Sequence, residues 1–297
     1  MKKLRLKDWL RILKSTFLKW WSVDPFRQSA VIAYYAIFSL PALLVIAIYL
    51  AGAAFGEDAV NGKVADSISS VLGHESAVQI QDMLVKASHL QNSLLTAIVG
   101  VITLLFGATG VFIELQKSLN FIWEVKPKAG QGIVKMLKDR LFSFGLVVSI
   151  GFLLTISLII TSLLTYLSGW ITVRFSLLAT FLIHAISLVL SLTTISSLFA
   201  LMFKVLPDVK TQWRYIWPGA ILTGMLFLLG KFALGFYFGK FHPASIYGAA
   251  GTIVLVLLWV SYSCMILFYG AEFTKQFSQK LEGEVSPASN AVRKKSD

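Results

Sequence analysis

The chain has 297 residues, of which 56% are hydrophobic and 14% charged, and it carries a formal net charge of +12 at pH 7. With a mean hydropathy of +0.74, it is too apolar for an ordinary soluble domain and reads as a polytopic membrane protein. The basic surplus does not require a nucleic-acid partner, because the positive-inside rule produces one in a multispan protein. A single cysteine, Cys264, rules out an intramolecular disulfide, and no Cys/His cluster has metal-ligand spacing.

Residues 2–21 place Leu6, Trp9, Leu10, Leu13, Phe17 and Trp20 on one helical face, with Lys3, Lys7, Arg11 and Lys14 largely on the other. Such an amphipathic helix either lies in the plane of the membrane, drawn to anionic lipid by its basic side, or packs on the protein's own cytoplasmic face. The pattern leaves both open. No short apolar core followed by a small-residue cleavage site occurs here, so no removable signal peptide is expected.

The first span is expected at 30–52. Pro41 lies near its middle, removes one backbone hydrogen bond and predicts a kink near Ser39. Tyr34, Tyr35 and Ser39 can bond across helices, at only ~0.6 kcal/mol each on average, and are read as packing groups ahead of substrate contacts. Residues 53–92 then carry Glu57, Asp58, Asp66, Glu75 and Asp82 against Lys63 and Lys86. Two short helices, around 68–72 and 77–87, are expected in this outer loop, separated by Gly73. His74 and His89 lack repeated spacing and are read as solvated.

The second span is expected at 93–113. Gly100, Gly107 and Glu114 recur every seven residues, with Gly110 near the same stripe, giving a smooth face for another helix that ends in a carboxylate. The third and fourth spans are expected at 141–167 and 178–203. His184 on the fourth reads as a packing residue, since neither span carries an acid to partner it. The fifth span, 217–238, opens with Pro218 at a position suited to a helix start. The sixth, 246–271, holds 26 uncharged residues, more than the ~20 needed to cross a bilayer, and is followed by Glu272. Residues 274–297 are expected to form a cytoplasmic tail, disordered at its end. The expected fold is therefore all-α, with six transmembrane helices, an N-terminal amphipathic helix and short helices in the first outer loop.

Lys and Arg number eight before the first span, six from Glu114 to Arg140, three from Lys204 to Arg214 and five after Glu272, so 22 of 27 fall on one side. That asymmetry predicts both termini in the cytoplasm. The same topology puts Glu114, Arg140 and Glu272 together at the cytoplasmic boundary, as a candidate structural ion cluster first and a gate second. Lys231 is different, being the one charge placed well inside a span. It either snorkels outward or serves a water-filled cavity that needs a cation. Gly224 and Gly235 fall near its face, and with Gly248 and Gly270 they are read as close-packing positions.

Several stretches resemble the YihY/BrkB family of bacterial inner-membrane proteins. They are Ala33 to Pro41 (AYYAIFSLP), Leu115-Gln116 with Leu119-Asn120 and Ile122-Trp123, Gly230-Lys231, Tyr247-Gly248, Trp259 and Gly270-Ala271-Glu272. The resemblance implies a six-helix plasma-membrane protein, with links to serum resistance or virulence in some members and suspected lipid or lipopolysaccharide transport in others. The family's older label, ribonuclease BN, finds no support in the residues, because no His-x-His-x-Asp-His run exists and the acids of the outer loop have no ligand spacing and lie on the side away from cytoplasmic RNA.

The expectation is a non-enzymatic transporter or translocator of lipid or another envelope component, with Lys231, Tyr35, Ser39, Pro41 and Tyr247 as candidate pathway residues. The alternative is a non-transporting scaffold or envelope-integrity factor. No catalytic residues, cofactor or metal are expected. The expected partners are membrane lipids with anionic headgroups, not nucleic acid, and self-association stays open.

Overall fold

The computed structural model describes residues 6–39, 94–128, 177–241 and 249–294. Among these residues it contains six helices and one small sheet: α1 (Leu6–Ser22), α2 (25–39), α3 (Leu94–Ile122), β1 (Val125–Pro127), α4 (Leu177–Val205), α5 (Trp213–Phe241), α6 (Ala249–Glu282) and β2 (Ala291–Arg293). The expected third span, the outer loop with its two histidines, and Pro41, Arg140, Tyr247 and Gly248 lie outside the described residues.

Among the described residues, three helices are long and apolar enough to cross a membrane: Ala185–Val205, Trp213–Tyr237 and Ile253–Glu282. Ile186, Leu188 and Val189 on α4, and Phe232 and Phe236 on α5, are exposed. A soluble protein would bury such residues; hydrocarbon solvates them.

The amphipathic helix expected at 2–21 is α1, and it buries Ile12 and Thr16 while exposing Leu10 and Phe17. It stops at Asp24, whose φ of 53° is one that Asp tolerates better than most side chains, and Pro25 opens α2. The other helices outrun their expected ends. Whereas the second span was expected to close at Glu114, α3 continues to Ile122, because Leu115, Leu119 and Ile122 repeat at helical spacing and are all buried. Similarly, α6 passes Glu272 to Glu282, carried by Phe273, Phe277 and Leu281 at i, i+4 and i+8. It is capped by Gly283 at φ +87°, whose N–H donates to the Gln279 carbonyl at 3.0 Å. Pro218 lies inside α5, since that helix begins at Trp213.

The chain divides into two compact units. Unit 1 comprises residues 1–25, 116–229 and 266–297; unit 2 comprises 26–115 and 230–265. In unit 1, α5 and α6 cross through a reciprocal pair of Gly-x-x-x-Thr segments. The Thr223 hydroxyl donates to the Gly219 carbonyl at 2.6 Å and the Thr274 hydroxyl to the Gly270 carbonyl at 2.7 Å. Each threonine, satisfied on its own helix, sits over the other helix's glycine: a methyl at Gly219 would fall on Thr274, and one at Gly270 on Thr223. Gly224 makes a like fit against Ser196 of α4.

The expected tail is partly structured. Beyond α6, residues 285–294 form a strap over the ends of α3 and α4. Strand β2 pairs antiparallel with β1 in the register Val125↔Arg293, Lys126↔Val292 and Pro127↔Ala291. Val209 bridges Pro287. Two strands of three residues are marginal alone. Here they cover a core of Trp123, Val125, Val209, Val285 and Ala291.

Candidate functional site

Unit 1 contains a polar clasp built where helices end. The last carbonyls of any helix lack internal partners and carry partial negative charge. At the end of α3 the donor is the Lys275 ammonium, which reaches the Ile122 carbonyl at 2.7 Å. The same nitrogen pairs with Glu124 Oε1 at 2.7 Å and lies 3.9 Å from Glu272 Oε2. Glu272 Oε1 also accepts from the Gln276 side-chain amide at 2.7 Å. Lys275 and Glu272 are buried, whereas Glu124 is largely exposed. The Lys275 hydrogen bond holds the Glu124 carboxyl below its ordinary value of 4.5, against the smaller opposing effect of burial. Glu124 also takes a left-handed backbone, φ 55°, as it turns the chain from α3 into β1.

Beside this triad, Asn120 holds Asp208 in both directions. The Asn120 side-chain amide donates to Asp208 Oδ2 at 2.8 Å, and Asn120 Oδ1 accepts from the Asp208 N–H at 2.8 Å. Asn290, from the strap, donates to Asp208 Oδ1 at 2.6 Å. The Lys204 ammonium donates to the Thr211 carbonyl. Charge and hydrogen bonds thus join three chain segments distant in sequence, and the chemistry is structural.

Of the expected ion cluster, Glu272 is held inside the protein rather than lifted into water, and Lys275 is the cation on it. Arg140 lies outside the described residues. Glu114 is half-buried on α3, eight residues before the helix ends.

Unit 2 carries the expected pathway residues. Tyr35 and Ser39 of α2 meet the glycine stripe of α3: a methyl at Gly107 would come within 2.8 Å of Ser39, and one at Gly110 would enter the Tyr35 ring. The Ser39 hydroxyl donates to its own helix, at the Ala36 carbonyl, 2.9 Å away. Gly100 lies on the same helix. These residues therefore pack a helix seam. On α5, Gly230 receives the Tyr262 ring of α6. Lys231, next to it, is exposed, as are Phe232, Phe236 and Tyr237. Gly235 has nothing within 4 Å of an added methyl, so it marks open space and not the crowded face expected from its spacing.

Lys275, Glu124, Asp208 and Asn290 were not singled out by sequence as site residues. For Lys275 a signal existed in its i, i+3 spacing from Glu272 on a segment whose aromatic period continues the helix. Asp208 and Asn290 carry no such signal.

The chain matches the family described as "Virulence factor BrkB" over residues 16–295. Among named relatives, a UPF0761 membrane protein of Verminephrobacter eiseniae is 26% identical over 80% of this chain and 54% of its own length. One from Mannheimia succiniciproducens is 28% identical over 78% of this chain and 76% of its own. One from Saccharophagus degradans is 27% identical over 86% and 56%. The chain thus spans little more than half of two of these relatives. No solved structure matches it. Its apolar helices with outward-facing aliphatic and aromatic side chains, and a family match over nearly the whole length, agree: the chain is a membrane protein belonging to the BrkB virulence factor family.

Proposed function

We propose that this chain is a non-enzymatic, six-span plasma-membrane protein with both termini cytoplasmic, and that it translocates an anionic lipid or a lipid-like envelope component. The observation that carries the reading is Lys231, exposed on α5 beside exposed Phe232 and Phe236. It lies about 27 Å along its helix from Trp213, at 1.5 Å per residue. With the 22 basic residues assigned to the cytoplasmic side, this reading puts it towards the outer leaflet. A cation on an apolar, outward face either snorkels or draws an anionic headgroup to the helix.

The test is reconstitution in vesicles holding fluorescent phosphatidylglycerol, with dithionite reporting movement between leaflets. Wild type and Lys231→Arg should accelerate movement over empty vesicles, and Lys231→Met, which keeps the apolar stem, should not. Equal rates in the folded Met variant would end the role given to Lys231.

A second reading, a non-transporting scaffold, is favoured by the seams themselves. Ser39 on Gly107, Tyr35 on Gly110 and Tyr262 on Gly230 fill space that a pathway would leave free. Wild-type protein that leaves leaflet exchange at the empty-vesicle rate would support it. The family description's reference to virulence fits either reading.

A further inference from the structure

Helix α1 has two apolar faces, and the protein covers one of them. Ile12, with Trp9 and Leu13, packs against Tyr215 of α5 and Phe273 and Phe277 of α6. The Trp9 ring lies 6.1 Å from that of Phe273 and 5.5 Å from that of Phe277. Asp8 pairs with Lys280 at 2.9 Å. That contact neutralises the one acid of the helix.

The second face stays outside. Leu10, Phe17 and Trp21 are 62%, 50% and 58% exposed. At 3.6 residues per turn, these three fall within about 40° of one another, and Lys14, Lys7 and Arg11 occupy the next ~80°. All three basic residues are exposed, and so is Leu18 among them. Phe17 clusters with Trp20 and Trp21, at ring separations of 5.6 and 6.1 Å, and the Trp20 ring meets Tyr269 of α6 edge-on at 5.9 Å. Aromatic clusters of this kind mark the headgroup level of a bilayer.

We infer that α1 is an interfacial helix that binds the anionic lipid headgroups of its own bilayer, sinking Leu10, Phe17 and Trp21 below the phosphates while Lys7, Lys14 and Arg11 pair with them, and so braces the ends of α5 and α6. The occupant follows from charge and shape. An apolar strip edged by exposed cations with no ion pair among the described residues matches a surface that is apolar beneath and anionic on top, the pattern of helices lying in the interface plane. The inference does not rest on Lys231 or on transport.

The test uses the full-length protein with Cys264→Ala and one new cysteine, Leu10→Cys or Phe17→Cys, carrying a fluorophore. In nanodiscs containing phosphatidylglycerol, nitroxide lipids labelled near the headgroup should quench either label, and aqueous acrylamide should quench it several-fold less than in detergent. Combining Lys7→Gln, Arg11→Gln and Lys14→Gln should weaken this shielding, about fivefold in the bound-to-free ratio for each charge removed.

Full acrylamide access in anionic nanodiscs would overturn the inference. So would shielding that appears in detergent and grows with protein concentration, which would assign the face to a second copy. A second measurement avoids the cysteine changes. Phosphatidylglycerol should raise the unfolding temperature of otherwise wild-type protein more than that of the triple Gln variant, and an equal rise in both would also overturn it.

Discussion

Lys275 is 3% exposed and serves oxygens of three kinds: a helix-end carbonyl, an exposed carboxylate and a buried one. Lys275→Met keeps the stem and strands the Glu272 carboxylate, itself 2% exposed. Breaking a desolvated pair costs about 3 to 5 kcal/mol, so the unfolding temperature in detergent should fall steeply. Adding Glu272→Gln should recover part of that loss, because the stranded charge is then gone. Glu124→Gln should cost at most ~1 kcal/mol, as its carboxylate is mostly in solvent. The pH dependence carries a definite sign. A carboxyl held below its unfolded value contributes stability above that value and loses it as pH falls through the lower, folded one. Unfolding temperature should therefore drop on acidification below about pH 4.5, and less so in Glu124→Gln. A Glu124→Gln profile identical to wild type would remove the pair from the acid response. Glu272 was legible in the sequence because it follows 26 uncharged residues. Its cation was not, since Lys275 reads as the first charge of a tail until the Phe273, Phe277, Leu281 period is given weight.

Small residues decide how the helices meet, and here spacing was informative but not sufficient. Gly107 and Gly110 lie against Ser39 and Tyr35 of α2, whereas Gly235, with the same type of spacing, has nothing within 4 Å of an added methyl among the described residues. The difference lies in what crosses the glycine, and one helix's sequence does not contain that. The Gly219/Thr274 and Gly270/Thr223 contacts needed two helices read together, each threonine donating its hydroxyl to the glycine carbonyl four residues earlier on its own helix. Gly219→Ala and Gly270→Ala should therefore each lower the unfolding temperature, because the added methyl meets a threonine fixed by a hydrogen bond on a neighbouring backbone. Gly235→Ala should be neutral or raise stability, by up to ~1 kcal/mol from helix propensity. The three variants compared by thermal unfolding in one detergent form an internal control. A loss at Gly235 equal to that at Gly219 would mean the reciprocal crossing has no special role.

For the molecule as a whole, the membrane class and helical architecture were legible from composition and from runs of uncharged residues, because hydrocarbon imposes both. The strap was not, since its partners lie 82 and 88 residues apart in sequence at Asp208, a residue with no periodic pattern to announce it. Its energetics predict how unit 1 fails. Two three-residue strands do not hold themselves, so β1, β2 and the Val209–Pro287 bridge depend on the cluster around Trp123 and on the Asn290–Asp208 bond. Ending the chain after Gly283 removes all of these while leaving the α6 cap in place. Trp123, Val125 and Val209 then lose their cover, and Asp208 loses Asn290 while keeping Asn120. The truncated protein should still insert in the membrane, because none of the apolar helices is touched. Its segments 123–128 and 204–212 should, however, become open to trypsin at Lys128, Lys204 and Lys210, Lys126 being protected by Pro127. Asn290→Ala should show the same cleavage more weakly, since it deletes the bond to Asp208 and leaves the apolar cluster covered. Cleavage unchanged in both would mean that the ends of α3 and α4 are held by their own contacts, with the strap resting on a surface already formed.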